Sequence, residues 1–465
     1  MKKTADTQKR PLWRWSELSR GLLHHEVQGP DINGVGVDSR LIKKGQLFIA
    51  LPGDPGPRFN PSYRSAVDGH SFVAQAAAAG AAGALVHQDA DTLGVPARFP
   101  LLRVEDTYDG LWTLGQLARA RLAGKAIAIT GSSGKTTAKH FISAALNAYA
   151  PPGSFNNHIG VPLSLANTPA ESRFAVYEVG TNHPGEIEPL ARMVAPDVAV
   201  LLNVQSAHIE NFTNWEALKK EKFSIFNGVR DKTNTVSDFS LNVQHGLTFG
   251  TDPRADACVT DLQGDRARIV LLGKSLSARI PGGGLHRATT VAATLLVSHL
   301  LQQDPLGACE LPHELIPSGR GNILKVGHLT LIDDAYNANP DSMLAAIHSL
   351  RSARSSTPSP HQIALIGEML ELGDASEAGH LALAEPLKDI EQVFCVGAGT
   401  RKLADELGCP WYERASDALL LDVIAACHTD STVLIKGSNR VFWAENFVQQ
   451  LKEKLEAIDV SRVTN

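Results

Sequence analysis

Hydrophobic and polar residues alternate along this chain with the periods of short buried strands and of helices. In the first third, apolar runs at 47–51 and 84–86 predict strands, and the alanine-rich stretch 72–79 predicts a helix. The stretch 52–61 between them is rich in proline and glycine, which predicts a loop. This pattern is typical of a small α/β domain, to which we assign residues 1–120.

The same alternation resumes at residue 126 and continues through the middle of the chain. A weaker, mixed stretch at 252–279 predicts a peripheral antiparallel part. The other elements predicted here are strands at 126–130, 174–179 and 198–204 and helices at 215–227 and 285–301. Strands that alternate with helices indicate a parallel sheet covered by helices. We assign residues 121–314 to this central domain, which the glycine turn and the family resemblance given below imply to be ATPase-like.

A third alternating series fills the remainder of the chain. The elements predicted here are strands at 329–333, 362–367, 392–396 and 432–436, helices at 340–352 and 376–390, and a final helix. Prolines within 311–317 interrupt both periodicities and mark the boundary before this series. Residues 315–465 are therefore predicted to form a Rossmann-like domain, which gives an α/β protein of three domains.

Composition narrows the possible partners and the compartment. Of the 465 residues, 43% are hydrophobic and 20% are charged, as in ordinary globular proteins. The net charge of −5 provides no general basic field, which argues against nucleic acid as a ligand. Five scattered cysteines without a C-x-x-C pair favour a reduced cytosol. No apolar run suits a signal sequence or a membrane span, so we expect a cytoplasmic protein.

A glycine turn between a predicted strand and a predicted helix carries the strongest functional signal. The turn and the start of the helix read Gly131, Ser132, Ser133, Gly134, Lys135, Thr136 and Thr137. Such a turn presents backbone N–H groups, and the helix adds about half a positive charge at its N-terminus. The lysine supplies a point charge and the first threonine a hydroxyl for Mg²⁺. The segment predicts a nucleotide phosphate site, although Ile129 replaces the first glycine of the commonest motif.

Three further side chains follow neighbouring elements of the predicted central sheet. Glu178 ends one strand, and carboxylates at the carboxyl ends of parallel strands face the ligand crevice, where Mg²⁺ would need oxygen ligands. His208 follows the next strand, and Lys222 lies in the predicted helix after it. Taken alone, these residues could equally be a solvated strand end, a structural histidine and the solvated face of an amphipathic helix.

Several motifs, in the same order, resemble those of the Mur ligases of peptidoglycan synthesis. They include Asn156-Asn-His-Ile-Gly-Val-Pro162, Glu178-Val-Gly-Thr-Asn-His-Pro-Gly-Glu186, Asp334-Ala-Tyr-Asn-Ala-Asn339, Gly367-Glu-Met-Leu-Glu-Leu-Gly373 and Leu434-Ile-Lys-Gly-Ser-Asn439. The resemblance implies an ATP-dependent amide ligase. In such a ligase, ATP would phosphorylate the terminal carboxylate of UDP-N-acetylmuramoyl-tripeptide, and the amine of D-alanyl-D-alanine would attack the acyl phosphate. We expect a monomer.

The resemblance also implies roles for individual residues. Two Mg²⁺ sites are expected, one at Thr136 and Glu178 and a second at His208 and a carbamylated Lys222. Catalytic roles fall to Lys135, Lys222, His208 and Arg320. Besides the glycine turn, Asp334, Tyr336 and Asn337 would bind ATP. Substrate contacts are expected at Asp38, Ser39, Arg40, Asn156, Asn157, Lys436 and Ser438.

One departure from the family pattern affects the adenine pocket. Family members usually carry Gly-Arg-His-Asn before the helix at 285–301, whereas this chain has Gly284-Leu-His-Arg287. The arginine could stack on the base, or Asn337 could hold it. Three other functions also stay open: a ligase that adds lysine or diaminopimelate as the third residue, a nucleotide-binding module without ligase activity, and a kinase. Whether the third peptide residue is lysine or diaminopimelate is not set by the sequence.

Overall fold

A computed structural model describes residues 10–56, 59, 67–91, 93–205, 209–352, 361–428 and 430–463, with side chains up to residue 458. Contacts between Cα atoms divide the described chain into two compact units. Unit 1 comprises the described parts of Met1–Thr130, Leu146–Val200 and Glu221–Thr235, and unit 2 those of Gly131–Ala145, Leu201–Lys220 and Val236–Asn465. No helix within these described ranges is both long enough and apolar enough to cross a bilayer.

Helices and strands alternate through most of the chain. The helices are α1 (Trp15–Leu23), α2 (Val73–Ala78), α3 (Thr107–Arg121), α4 (Lys135–Leu146), α5 (Gly160–Ala166), α6 (Ile187–Val194), α7 (Trp215–Phe223), α8 (Leu285–Leu300), α9 (Leu306–Cys309), α10 (Pro340–Ser352), α11 (Ser376–Leu381), α12 (Ala384–Leu387), α13 (Arg401–Leu407), α14 (Asp417–Ala426) and α15 (Phe447–Val463). The strands are β1 (Gly34–Gly36), β2 (Gln46–Ile49), β3 (Gly83–His87), β4 (Leu101–Val104), β5 (Lys125–Thr130), β6 (Phe174–Glu178), β7 (Val198–Leu201), β8 (Thr235–Asp238), β9 (Leu247–Gly250), β10 (Ala257–Gln263), β11 (Arg266–Leu271), β12 (Lys274–Arg279), β13 (Asn322–Val326), β14 (Leu329–Asp334), β15 (Gln362–Gly367), β16 (Gln392–Val396), β17 (Trp411–Tyr412) and β18 (Thr432–Lys436).

The first part of unit 1 is a four-stranded parallel sheet in the order β1-β2-β3-β4. The predicted strands at 47–51 and 84–86 correspond to β2 and β3, and the predicted helix corresponds to α2. Helix α3, which the sequence analysis did not predict, begins where Asp106 accepts hydrogen bonds from the N–H groups of Tyr108 and Asp109. Only part of the predicted loop 52–61 lies within the described residues.

Strands β7, β5 and β6 stand side by side in this order in unit 1. β5 and β6 run parallel, with Ile129 opposite Glu178. Every residue from Ala126 to Thr130 is fully buried, because both faces of a parallel strand are covered. The buried strand ends directly before the glycine turn and so fixes where the turn starts.

In unit 2, strands β12-β11-β10-β9-β8 are neighbours in this order. β10, β11 and β12 pair antiparallel, which confirms the antiparallel part predicted at 252–279. Helix α8 spans Leu285–Leu300, as the periodicity predicted within one residue.

The remaining sheet of unit 2 has the order β13-β14-β18-β15-β16-β17 and is parallel except for β13. Side chains of β15 alternate between two buried clusters, one with Ile363 and Leu365 and the other with Ala364 and Ile366. The sheet is therefore covered on both faces. The single helix predicted at 376–390 is wrong: α11 ends at Leu381, and α12 begins at Ala384, which leaves Pro386 in a first turn where its missing N–H costs nothing.

Candidate active site

The glycine turn leads from β5 into α4 and is held by its own lysine. Gly134 has φ of +79°, a left-handed conformation that side chains rarely adopt, and this explains the glycine. Lys135 Nζ donates a hydrogen bond of 2.7 Å to the Gly131 carbonyl, which keeps the ammonium over the turn. Thr136 and Thr137 are buried in the first helical turn.

Asn203, which lies within the predicted strand 198–204, organises the turn. Its Oδ1 accepts from the backbone N–H groups of Ser132 and Ser133, each at 3.0 Å. Gln205 adds to this contact, because its N–H donates to Ser132 Oγ at 2.8 Å and its Oε1 accepts from Ser133 Oγ at 2.8 Å. Two N–H groups that we expected to face phosphate are thus hydrogen-bonded to protein. The sequence signal for this role was the position of Asn203 just after β7, the strand next to β5.

Glu178 lies at the end of β6 and is 3% exposed, so the solvated strand end considered above is not observed. The N–H of Gly180, two residues on, donates to the Asn156 carbonyl at 2.7 Å. A Cβ at Gly180 would lie 2.8 Å from Asn156 Cγ, so this position needs glycine. Unit 1 therefore brings Asn156 against the segment that carries Glu178.

Lys222 is 1% exposed in α7, so it does not lie on a solvated helix face. Its neighbour Glu221 accepts from the N–H groups of Gly185 and Ile187, each at 2.8 Å. Because an acceptor at the start of α6 satisfies N–H groups that have no partner within the helix, this contact ties α7 to the loop after Glu178.

Hard oxygen donors at the predicted metal positions suit Mg²⁺. Thr136 offers a hydroxyl and Glu178 a carboxylate, and both side chains are buried. His208 lies outside the described residues. Among the residues that are described, no cluster of three or more His, Cys, Asp or Glu side chains could hold a metal ion.

Asp38, Ser39 and Arg40 form one turn in unit 1. The Asp38 carboxylate accepts from Arg40 Nε at 2.9 Å and Nη2 at 2.6 Å, and these hydrogen bonds lower the pKa of Asp38. Ser39 Oγ donates to Gln75 Oε1 at 3.1 Å and is buried. A cavity of about 680 Å³ elsewhere in unit 1 includes carboxylates such as Asp106 in its lining, which makes it unsuited to a diphosphate.

Asn157 and His158 are anchored next to α5. Asn157 Oδ1 accepts from the N–H of Gly160 at 2.9 Å and so caps that helix. The His158 ring stacks on Phe59 at 4.9 Å between centroids, and its carbonyl accepts from Trp112 Nε1 at 2.8 Å. Burial lowers the pKa of His158 against the opposing effect of Glu186. The predicted substrate segment is thus rigidly packed within unit 1.

In unit 2, the structure brings two predicted site residues into one ion pair. Lys436 Nζ donates to Asp334 Oδ2 at 2.8 Å and to the Asn337 carbonyl at 3.1 Å. The two residues stand opposite each other at the ends of β18 and β14. Only 3% of the lysine side chain is exposed, compared with 22% of the aspartate side chain. A residue predicted to lie near the dipeptide therefore contacts two that were predicted to bind ATP.

Arg320 lies over the ring of Tyr336, with 4.3 Å between Cζ and the ring centroid. The Tyr336 N–H donates to the Gly319 carbonyl at 2.9 Å. Asp333 was not predicted, yet its Oδ2 accepts from Gly319 N–H at 2.7 Å and from Ser318 Oγ at 3.1 Å. Burial raises the pKa of Asp333, and these hydrogen bonds oppose the rise. The loop that carries Arg320 is therefore held by a buried strand-end carboxyl group.

Ser438 organises the loop after β15. Its Oγ accepts from the Leu370 N–H at 2.9 Å, and its own N–H donates to the Glu368 carbonyl at 3.0 Å. On the other side of this loop, His380 Nε2 accepts from the Met369 N–H at 2.9 Å. The segments 367–373 and 434–439 are thus hydrogen-bonded to each other through Ser438.

Known protein families match the parts of the chain that contain most of these site residues. The family profile described as Mur ligase middle domain matches residues 129–279, and the profile described as Mur ligase, glutamate ligase domain, matches residues 319–439. A relative from Bacillus subtilis (strain 168) is 32% identical over 410 residues, which cover 84% of this chain and 85% of the relative. The chain therefore belongs to the Mur ligase family, a family of ATP-dependent peptide ligases, and the resemblance drawn from its motifs is confirmed.

Within the family, the chain is similar to the following relative and solved structures. The Bacillus relative is named UDP-N-acetylmuramoyl-tripeptide–D-alanyl-D-alanine ligase. A crystal structure of MurF from Acinetobacter baumannii has a TM-score of 0.77 at 26% identity and covers 95% of this chain and 99% of its own. MurF ligase from Thermotoga maritima, solved in complex with ADP, has a TM-score of 0.73 at 25% identity and covers 91% of this chain and 98% of its own. The predicted α/β fold class is confirmed.

Proposed function

We propose that this enzyme uses ATP to join D-alanyl-D-alanine to UDP-N-acetylmuramoyl-tripeptide. The observation that carries the proposal is similarity over 84% of the chain to a relative with that name. The similarity extends into the last third of the chain, where the motifs predicted a dipeptide acceptor. Addition of lysine or diaminopimelate as the third residue is the weaker alternative.

The reaction must activate a carboxylate, which is a poor electrophile. A carboxylate oxygen attacks the γ-phosphorus of ATP, and ADP leaves. The amine of the dipeptide then attacks the carbonyl carbon of the acyl phosphate, the amine loses a proton, and inorganic phosphate leaves with the former carboxylate oxygen. In the first step two anions approach each other, and each unit pair at about 4 Å costs on the order of 4 kcal/mol at an effective dielectric of about 20.

Cationic side chains would relieve this repulsion. Lys135 is assigned to the β- and γ-phosphates, because its ammonium already lies over the Gly131 carbonyl of the turn. Arg320 is assigned to the transferring phosphoryl group. Such charges act by stabilising the transition state of a transfer that depends mainly on positioning.

Two Mg²⁺ ions complete the proposal. Thr136 and Glu178 would hold the first, and His208 with Lys222 the second. Magnesium when bound would neutralise phosphate charge and align the γ-phosphate. Lys222 is buried, and a carbamate formed from its amine and CO₂ would be the kind of oxygen donor that Mg²⁺ prefers.

The remaining predicted residues are assigned to binding. Residues Gly131 to Thr137 with Asp334, Tyr336 and Asn337 would bind ATP. Asp38, Ser39 and Arg40 would bind the uridine diphosphate, Asn156 and Asn157 the muramoyl peptide, and Lys436 and Ser438 the dipeptide. These residues are distributed over the proposed domains 1–120, 121–314 and 315–465, and the ATP-binding residues come from the second and third. We further propose that the protein is a monomer, and that it is cytoplasmic because ATP is an intracellular nucleotide.

Phosphate release with different acceptors tests the proposal. Purified enzyme with ATP, Mg²⁺ and UDP-N-acetylmuramoyl-tripeptide should release phosphate when D-alanyl-D-alanine is added. Free lysine or diaminopimelate, tested with the UDP-linked dipeptide, should not replace it. Mass spectrometry should detect the pentapeptide product. ATP hydrolysis that ignores every UDP-linked peptide would instead favour a nucleotide-binding module.

A Lys135→Ala variant is the matched negative control. It removes the ammonium but leaves Gly134 and the helix start unchanged, so it should fold and lose ligation. Ligation at the wild-type rate by this variant would refute the proposed phosphate site.

A further inference from the structure

Arg287 stands where the family resemblance led us to expect asparagine, and its guanidinium joins two loops of unit 2. Nη1 donates to the carbonyls of Gly282 at 2.7 Å and Gly283 at 3.2 Å. Nη2 donates to the carbonyls of Arg320 and Gly321, each at 3.1 Å. The residue is 8% exposed. The sequence left open whether this arginine stacks on adenine or Asn337 holds the base; in the structure the guanidinium donates to four backbone carbonyls.

The loops are shaped around this side chain. A Cβ at Gly321 would lie 2.0 Å from Arg287 Nη2, and one at Gly282 would lie 3.0 Å from Nη1. Both glycines have positive φ, +78° and +71°. Asparagine is shorter and has two N–H donors where the guanidinium has five, so it could not make these four hydrogen bonds. The Arg287 side chain and the two glycines therefore depend on each other: the loops can approach the guanidinium only because neither position carries a side chain.

One end of this bridge is the backbone of a proposed catalytic residue. The Arg320 carbonyl accepts from Arg287, while the Arg320 side chain lies over Tyr336. The N–H of Gly321 donates to the Asp333 carbonyl at 2.7 Å, which fixes the loop from the opposite side. Loss of Arg287 would leave two carbonyls of this loop without their donors and allow the backbone of Arg320 to move.

We propose that Arg287 is a positioning residue for phosphoryl transfer, which sets the place of the Arg320 side chain by fixing its backbone. This inference rests on the proposed function of Arg320. Burial lowers the pKa of Arg287. The negative charge of Asp334 opposes this effect and favours the cationic form of the arginine. The bridge also joins the start of α8 to a loop beyond the boundary proposed at residue 315.

Steady-state kinetics of an Arg287→Ala variant test the proposal. Misplacement of a catalytic group by about 1 Å can cost on the order of a hundredfold in rate, so kcat should fall about tenfold to a hundredfold. The KM for ATP should change much less, because the interaction acts on the transition state. Added methylguanidine should restore at least part of kcat to Arg287→Ala, but none to Lys135→Ala. Wild-type kcat in Arg287→Ala, or a loss that methylguanidine does not reverse, would overturn the proposal.

Two further variants keep the test decisive if Arg287→Ala does not fold. Arg287→Lys keeps the charge but cannot bridge four carbonyls, so its kcat should also fall. Gly321→Ala should displace the unchanged arginine and lower kcat, by a smaller factor when Arg287 is already replaced. Arg266→Ala, which removes an exposed arginine paired with Glu310 at 3.1 Å, is the control and should retain wild-type kinetics. Wild-type kcat in Arg287→Lys would contradict the proposal.

Hydrogen–deuterium exchange separates this inference from the proposed function. Amides at 319–321 should exchange faster in Arg287→Lys than in the wild type, whatever substrates the enzyme accepts. If the wild type fails to ligate D-alanyl-D-alanine, the proposed function fails, and exchange still reports whether Arg287 orders the loop. Equal exchange in the two proteins would refute the inference that the Arg287 hydrogen bonds order the loop 319–321.

Discussion

Replacing Lys436 by methionine should destabilise the sheet that contains β14 and β18, because the Asp334 carboxylate would lose its ion-pair partner. Lys436 Nζ lies 2.8 Å from Asp334 Oδ2, and the two residues end adjacent parallel strands. Methionine retains the length and apolar stem of lysine, so the main loss is charge and hydrogen bonding. Asp334 would then keep its negative charge without its partner.

The size of this effect follows from burial. Removal of one member of a buried ion pair typically costs about 3–5 kcal/mol. Because 22% of the Asp334 side chain is exposed, water can partly replace the lysine, and we expect Lys436→Met to cost about 3 kcal/mol. Asp334→Asn leaves an ammonium that is 3% exposed, so its cost should reach about 5 kcal/mol.

A double-mutant cycle measures the interaction directly. Urea unfolding followed by tryptophan fluorescence would give the free energy of unfolding for the wild type, both single variants and the double variant. The double variant has neither uncompensated charge, so its loss should be smaller than the sum of the single losses by about 2 kcal/mol. Additive losses, or a cost below about 1 kcal/mol for Lys436→Met, would refute the buried ion pair as the cause.

Three other substitutions give separate tests. Asn203→Ala removes the acceptor of two turn N–H groups, each hydrogen bond being worth about 1 kcal/mol, so calorimetry should show ADP affinity lowered about thirtyfold. His380→Asn should change the pH dependence of stability. Burial lowers the pKa of His380, so its contribution is complete above the unfolded pKa of about 6.5 and is lost as the pH falls through the lower folded pKa. Gly180→Ala forces a Cβ to within 2.8 Å of Asn156 Cγ, and the free energy of unfolding should fall by about 1–3 kcal/mol in a urea titration.

Each of these tests has a contrary outcome. Unchanged ADP binding in Asn203→Ala would mean that the turn does not depend on this amide. Parallel stability curves for wild type and His380→Asn between pH 7 and 5 would show that folding does not lower the pKa of His380. An unchanged urea midpoint in Gly180→Ala would show that the Asn156 loop yields without cost.

Regular elements were predictable where local pattern and burial agree. Strands β15, β16 and β18 match their predicted bounds, because each is a short apolar run bounded by polar residues or glycine. Helix α3 was missed, since Gly110 and Gly115 lower helix propensity within it. Packing explains the second glycine: a Cβ there would lie 2.9 Å from Pro162 Cβ. Tertiary contact thus outweighs local preference.

The side chains that organise the candidate site were harder to predict than those expected to touch substrates. Asn203 lies about 70 residues from the turn that it holds, and Arg287 is separated from Arg320 by a predicted domain boundary. Motif spacing identifies residues within one loop, whereas such partners become evident only when strand order brings distant loops together. Lys222 shows the same limit, because periodicity alone favoured a solvated face that the structure replaces with a buried one.

The position of β18 has a consequence for synthesis of the chain. This strand is the last of the described strands, yet it stands between β14 and β15 and pairs with both. About 100 residues separate Thr330 from Thr432, its neighbour in the sheet. Until the ribosome has translated β18, β14 and β15 lack the strand that pairs with both of them. Their apolar faces therefore stay exposed during synthesis of residues 330–431. A chain released before Lys436 would therefore carry two unjoined half-sheets and become a substrate for chaperones and proteases.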